Sequence, residues 1–297
     1  MAQRQETYAK TVGIVGLGLI GGSFARAYAA AGWRVLAHDT DAATLEVALA
    51  GPLAGALRDE DLATCDLVIL AAFPQACVDW LAAHAEQLGR VSNPALAQGP
   101  LVIDIAGVKG VLCERAFSLA AAHGFAFCGA HPMAGSEFSG YAYSRANMFE
   151  GAPMVLVPPT ALAPNTRDDL VARARALLIP CRFGTYSVTT PAEHDRVIAF
   201  TSQLAHVVSN AYVKSPTARL HTGFSAGSYR DLTRVAHLNP TMWTELMMDN
   251  AEHLGVEVDH IITALTAYRD ALAAGDAERL HELLAEGDRI KRALDDA

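Results

Sequence analysis

"TVGIVGLGLIGGSFARAYAAAGWRVLAHDTD", residues 11–41, decides how this chain folds. It opens on a short β-branched run, Val12 to Val15, followed by Gly16, Gly18 and Gly21 in G-x-G-x-x-G spacing. An alanine-rich helical stretch comes next, then a second strand, Arg34 to Ala37, that leads to Asp39. Strand, glycine turn, helix and strand in this order make a dinucleotide-binding unit. Gly16 is expected to make the tight turn, Gly18 to let backbone approach a pyrophosphate, and Gly21 to let helix and strand pack closely. Leu19 and Ile20, at the helix start, offer free N–H groups at the positive end of the helix dipole. Asp39 stands where a carboxylate binds both ribose hydroxyls and repels a 2′-phosphate, so the expected cofactor is NAD.

The alternation continues outward from this unit. "CDLVILAAF" (65–73), "LVIDIAG" (101–107), "FAFCGAH" (125–131) and "PMVLVPP" (153–159) are apolar runs separated by helical stretches. Runs apolar on both faces predict a mainly parallel sheet covered by helices, a doubly wound α/β fold of Rossmann type. Ligands of such sheets bind beyond the carboxyl ends of the strands. Those ends carry Phe73 and Pro74, the loop Asp104 to Lys109, and His131.

After a last strand, "CRFGTYSV" (181–188), the pattern turns helical. "TTPAEHDRVIAFTSQLAHVVSNAYV" (189–213) starts with Thr190 as N-cap, Pro191 at the first helical position and Glu193 completing a capping box. Its mostly apolar body predicts burial, either centrally or in a dimer interface. Asp195, Ser202, Gln203, His206 and Asn210 form a polar seam along it, and buried polar groups need partners. A helix is expected over 239–254, and two more begin near Asp259 and Asp276. The expected division is therefore 1–188, a dinucleotide-binding domain, and 189–297, an all-helical substrate and dimerisation domain.

Bulk composition narrows the function classes. The chain has 297 residues, 52% hydrophobic and 19% charged, with a formal charge of −9. No basic block appears, which argues against nucleic acid and anionic membranes. No apolar run reaches the ~20 residues that span a bilayer. The N-terminal "MAQRQETYAK" lacks an export pattern. Cys65, Cys77, Cys113, Cys128 and Cys181 are scattered and odd in number, which suits reduced thiols in the cytoplasm and no zinc site.

"GAHPMAGSEFSG" (129–140) is a shaped loop, because Pro132 restricts His131 to extended backbone and glycines flank it. A lone loop histidine most often caps a strand end. Its position at the cofactor crevice gives it a second reading as a functional group.

Taken together, "GLGLIGGS", "DIAGVK", "GAHPMAGSE", "HDRVIAFTSQLAH" and "YRDLTRVAHLNPTMWTELMMDN" resemble the prephenate/arogenate dehydrogenases of tyrosine biosynthesis. The resemblance runs in order from about residue 11 to 250. It implies an NAD(P)-binding Rossmann domain, a helical dimerisation domain, and oxidative decarboxylation of a cyclohexadiene acid in a cleft between them. By this resemblance His131 is the general base, since histidine suits proton uptake near neutral pH. His206 would line the cleft and assist binding or polarisation, and Arg234 would clamp a carboxylate. Glu137 and Asp231 match acidic residues that shape the cleft, and Trp243 matches a residue tied to substrate choice. Asp104 and Lys109 match the family loop, with Lys109 on the substrate side, but Gly107 stands where the family has a serine. Gln203 and Ala205 also depart from the family's S-H-L-P-H motif.

Two other readings compete. A β-hydroxyacid dehydrogenase also joins a Rossmann domain to helices, but its glycine-rich G-x-x-x-K helix start is missing after residue 190. A nucleotide-binding sensor without catalysis is favoured only by Gly107, and His131, His206 and Arg234 weigh against it.

Overall fold

A computed structural model describes residues 10–93, 98–136 and 138–296. The first half alternates strands and helices: β1 (Thr11–Val15), α1 (Leu19–Ala30), β2 (Arg34–His38), α2 (Ala42–Leu49), β3 (Gly55–Ala56), β4 (Leu67–Leu70), α3 (Pro74–Arg90) and β5 (Leu101–Asp104). It continues through α4 (Gly110–His123), β6 (Ala126–Pro132), β7 (Pro153–Val157), α5 (Pro164–Leu177) and β8 (Thr185–Val188). These strands form one sheet in the order β3-β2-β1-β4-β5-β6-β7-β8. Every pairing is parallel except β6 with β7. Successive strands leave β1 first in one direction and then in the other. The crevice at this reversal, outside the carboxyl ends of β1 and β4, is where such sheets take ligands.

Side-chain alternation builds a core on each face of the sheet. Val12, Ile14, Leu67, Ile69 and Ile103 pack under α1 and α5 with Phe24 and Tyr28. Val68, Leu70, Val102 and Phe127 pack on the opposite face under α3 and α4 with Leu81, Leu88 and Leu112. The continuous apolar runs of the sequence have this cause: central strands lose both faces to helices.

The second half is helical: α6 (Pro191–Ile198), a π-helical segment (Ala199–Leu204), α7 (Ala205–Tyr212), α8 (Gly227–Thr233), α9 (Pro240–Met248), α10 (Ala251–Ala274) and α11 (Ala277–Asp295). Two expectations are corrected here. The helix expected over 239–254 stops at Met248, and no helix begins near Asp259, because α10 runs straight through it. The break falls at Asn250, whose buried side chain turns inward to the Asp195 carbonyl (2.9 Å) and to Gln203 Oε1 (2.7 Å). The helix expected over 189–213 also changes register at the π-helical segment, a local widening that often marks functional sites. Thr190 does cap it, accepting from the Glu193 N–H at 3.3 Å, but the Glu193 carboxylate pairs with Arg196 instead of closing the capping box. A small cluster, Ala199, Leu204 and Leu254, forms the core described within this half.

Candidate active site

The glycine turn after β1 has the geometry its spacing implies. Gly16 has φ +94°, and a Cβ there would lie 2.5 Å from the Ala71 carbonyl oxygen at the end of β4. A Cβ on Gly21 would lie 2.0 Å from the Gly16 oxygen, so only glycine lets α1 approach its own turn. Gly18 has nothing within 4 Å of its Cβ position, an open cradle at the start of α1 beside Leu19 and Ile20. Asp39 braces this turn: Oδ2 accepts from the Leu17 N–H at 2.6 Å and Oδ1 from the Asp41 N–H at 2.8 Å. Each oxygen keeps a second lone pair for a ribose hydroxyl. Phe73 is 45% exposed beside the crevice, and Pro74 starts α3. An open glycine cradle, a helix N-terminus and an acidic residue after β2 fit a dinucleotide.

The chemistry-bearing residues gather at the ends of β5 and β6. The register pairs Asp104 with Gly129, so His131 extends β6 two residues past the end of β5. His131 is half-buried, and its Nδ1 lies 2.9 Å from His194 Nε2 on α6. His194 Nδ1 lies 2.7 Å from Asp195 Oδ1. Burial, with the nearby Lys109 charge and His194, holds the His131 pKa well below the ordinary imidazole value. Burial also lowers His194, against the opposing pull of Asp195. Both shifts favour the neutral imidazole.

Asp195 reaches back to the Rossmann half. Its carboxylate accepts from the Lys109 and Gly110 N–H groups, each at 2.7 Å, and so caps α4 from another element. The expectation that Lys109 faces substrate is revised. Its side chain is fully buried and ion-paired with Asp104, whose own carboxyl is raised by burial against the pull of Lys109. An interior ammonium needs such a counter-charge. Lys109 thus braces the loop from behind. Gly107, in the same loop, faces the methyl groups of Leu246 on α9, 3.5 Å from where a Cβ would stand. Glu245 Oε1 accepts from the Gln75 N–H at 3.0 Å, so α9 lies across the ends of α3 and β5.

A second group forms on the helical side. The His206 ring packs on Trp243 with centroids 3.9 Å apart, and its Nδ1 lies 2.9 Å from the Ser202 carbonyl oxygen. Burial, opposed by that carbonyl and reinforced by the Arg234 charge, lowers its pKa. Arg234 follows α8 and is exposed, as is Asp231. Gln203 is buried, donating to the Leu246 carbonyl at 2.8 Å. Glu137 lies outside the described residues. His194 and Asn250 were not singled out from the sequence; the "HD" pair at 194–195 after a strong helix start was the available signal for the first. Among the described residues no group of histidine, cysteine and acidic side chains could hold a metal ion, and no helix is long and apolar enough to cross a membrane.

Comparison with known proteins agrees with this arrangement. A sequence profile described as "Prephenate dehydrogenase, nucleotide-binding domain" matches residues 24–178. One described as "Prephenate dehydrogenase, dimerization domain" matches residues 190–286. The chain is 30% identical to the cyclohexadienyl dehydrogenase of Zymomonas mobilis, over 97% of each chain. It is 28% identical to the prephenate dehydrogenase of Bacillus subtilis, over 91% of this chain and 72% of that one. Among solved structures, Synechocystis arogenate dehydrogenase superposes with a TM-score of 0.73 at 28% identity, covering 95% of this chain and 99% of that one. The prephenate dehydrogenase of A. aeolicus, in complex with hydroxyphenyl propionate and NAD+, gives a TM-score of 0.76 at 25% identity, covering 97% and 99%. With both profiles matched in order and a relative aligned along nearly its whole length, the chain belongs to the prephenate dehydrogenase family.

Proposed function

We propose that this protein catalyses the NAD-dependent oxidative decarboxylation of prephenate to 4-hydroxyphenylpyruvate and CO2, with L-arogenate as the alternative substrate. The observation that carries the reading is His131, an imidazole held two residues past the carboxyl end of β5, at the same end of the parallel strands as the glycine turn after β1, with burial favouring its neutral form. Gly16 to Gly21 would hold NAD, with Asp39 toward its ribose and Phe73-Pro74 at the crevice wall, and NAD would supply the hydride acceptor.

His131 takes the proton of the C4 hydroxyl as the hydride leaves C4. The C1–carboxylate bond then breaks, its electron pair enters the ring, and CO2 departs. The C4 oxygen becomes the phenol oxygen, and His131 returns the proton to it. Hydride and CO2 are the net losses from the substrate, so the imidazole ends as it began. Aromatisation drives the reaction, and the protein mainly has to align C4 and handle one proton.

The remaining roles are those the family motifs suggest. Arg234 clamps a substrate carboxylate, and His206, packed at a tilt on Trp243, lines the cleft and assists binding or polarisation of the ring acid. Asp231 shapes the cleft, a role its motif also gives to Glu137, and Gly107 leaves its loop without a hydroxyl. The reading divides the chain at 188/189 and makes the helical half a homodimer interface. Exposed Ile262, Leu265 and Leu272 on α10 and Leu284, Ile290 and Leu294 on α11 support the latter. A reducing, cytoplasmic setting suits the five buried thiols, of which burial pushes Cys65, Cys77 and Cys128 up to about 12. A net charge of −9 without a basic block supports a partner list free of nucleic acid.

The test is to give the pure protein prephenate or L-arogenate with NAD or NADP and follow reduced nicotinamide and CO2. Equal release of NADH and CO2 from one ring acid, with NAD preferred, is expected. No turnover of either acid would overturn the reading.

A further inference from the structure

Three groups stand in a row behind His131: its own Nδ1, the His194 imidazole and the Asp195 carboxylate, joined by contacts of 2.9 Å and 2.7 Å. With Asp195 as a carboxylate and both imidazoles neutral, one hydrogen pattern satisfies this row. An ionised carboxylate has acceptors alone, so the His194 nitrogen facing it, Nδ1, carries the hydrogen. A neutral imidazole has one N–H, which leaves His194 Nε2 as an acceptor. The His131 nitrogen facing that acceptor is then the N–H, and His131 Nε2 is left bare.

Asp195 is held as an acceptor by several donors. It accepts from the Lys109 and Gly110 N–H groups as well as from His194, and it sits at the N-terminus of α4, where the helix dipole favours an anion. The charged groups facing the two imidazoles are Asp195, Lys109 and Asp104, and the last two are paired with each other. His194 cannot swing away: it is 3% exposed, the Thr190 cap fixes the start of its helix, and Asn250 holds the Asp195 carbonyl.

We propose that His194, oriented by Asp195, is a positioning residue that locks His131 in its Nδ1–H tautomer and so aims a bare Nε2 at the C4 hydroxyl. The proposal rests on His131 being the base. Once His131 has taken the proton, its imidazolium still donates Nδ1–H to His194, one ring away from the Asp195 carboxylate. No group other than the substrate oxygen has to receive the proton back.

Substituting Asp195 would free the Lys109 and Gly110 N–H groups and disturb the whole loop, so the informative variants are at 194. His194→Phe keeps the ring and removes the acceptor. His194→Gln restores an amide oxygen facing His131 and an amide N–H facing Asp195. His194→Phe is expected to lower kcat about 10²-fold, the scale of a mis-set general base, with KM for the ring acid little changed. His194→Gln is expected to recover about tenfold or more of that loss, in line with the same scale. Imidazole 15N spectra of the wild-type protein, with the His131 signals assigned by their loss in His131→Ala, are expected to show Nδ1 protonated and Nε2 bare. In His194→Phe the Nε2–H tautomer should gain population. A wild-type spectrum with Nε2 protonated overturns the proposal, whether or not the variants fold. So does a His194→Phe enzyme with wild-type kcat while His131→Ala is impaired. If His131→Ala itself keeps full activity, the base assignment fails instead.

Discussion

Gly107→Ser adds the hydroxyl that the family resemblance leads one to expect in this loop, and the structure allows its effect to be worked out. Residue 107 is outside the left-handed region of φ, so a side chain can be added without backbone strain. The new Cβ would rest 3.5 Å from the two methyl groups of Leu246, an ordinary contact. The hydroxyl would add one neutral hydrogen bond beside C4, about 0.5–1.5 kcal/mol net, or a factor of roughly 2 to 10 in rate. Replacing glycine also removes freedom from the unfolded chain, about 0.4–1 kcal/mol. In a protein of this size that raises Tm by about 1–4 °C. Steady-state kcat/KM on prephenate and on L-arogenate, with a melting curve, reads both effects. The expected result is an unchanged or up to about tenfold higher kcat/KM and a slightly higher Tm. A fall of more than about tenfold in a normally melting variant would refute the reasoning, because the ligand itself would then need the space beside Gly107.

Arg234→Ala should raise the substrate KM with a much smaller change in kcat, since a carboxylate clamp serves ground and transition states alike; the opposite split in steady-state kinetics would contradict the clamp. The lowered pKa values of His131 and His194 set the pH dependence. The neutral forms are the working forms, so kcat/KM should be level near pH 7 and fall only below about 6.5, the ordinary imidazole value. Because the unfolded chain binds these protons more readily than the folded one, stability should fall in the same direction, below about pH 6.5. An acid limb centred above pH 7 would contradict both statements. Sedimentation should find a dimer at micromolar concentration, and a stable monomer would leave the exposed apolar residues of α10 and α11 unexplained.

Much of the fold was legible because its signals are local. The strand–glycine–helix unit needs only spacing, and the steric limits at Gly16 and Gly21 are what make glycine obligatory there. The continuous apolar runs told of a covered sheet for an equally simple reason. The place of His131 at the carboxyl end of β6 was legible from the apolar run before it. What escaped depends on distant chain segments meeting. His194 contacts His131 across 63 residues of sequence. Neighbouring positions on a helix point about 100° apart, so the seam through Asp195 and Gln203 passed His194 by. The inward turn of Asn250 overrode a helical pattern that read as continuous, because a buried side-chain network satisfied its amide. Lys109 was misread for a related reason: a cation near a ligand site reads as a ligand group until its counter-ion, here Asp104, is seen sealed in beside it.

The most direct test of the account is the kinetic signature of His131→Ala with NAD and the ring acid that the wild-type enzyme uses. Loss of the general base predicts a kcat lower by about 10²–10⁴ with KM nearly unchanged. A variant that keeps the wild-type kcat, or that loses activity only through KM, would contradict the claim that His131 takes the C4 hydroxyl proton.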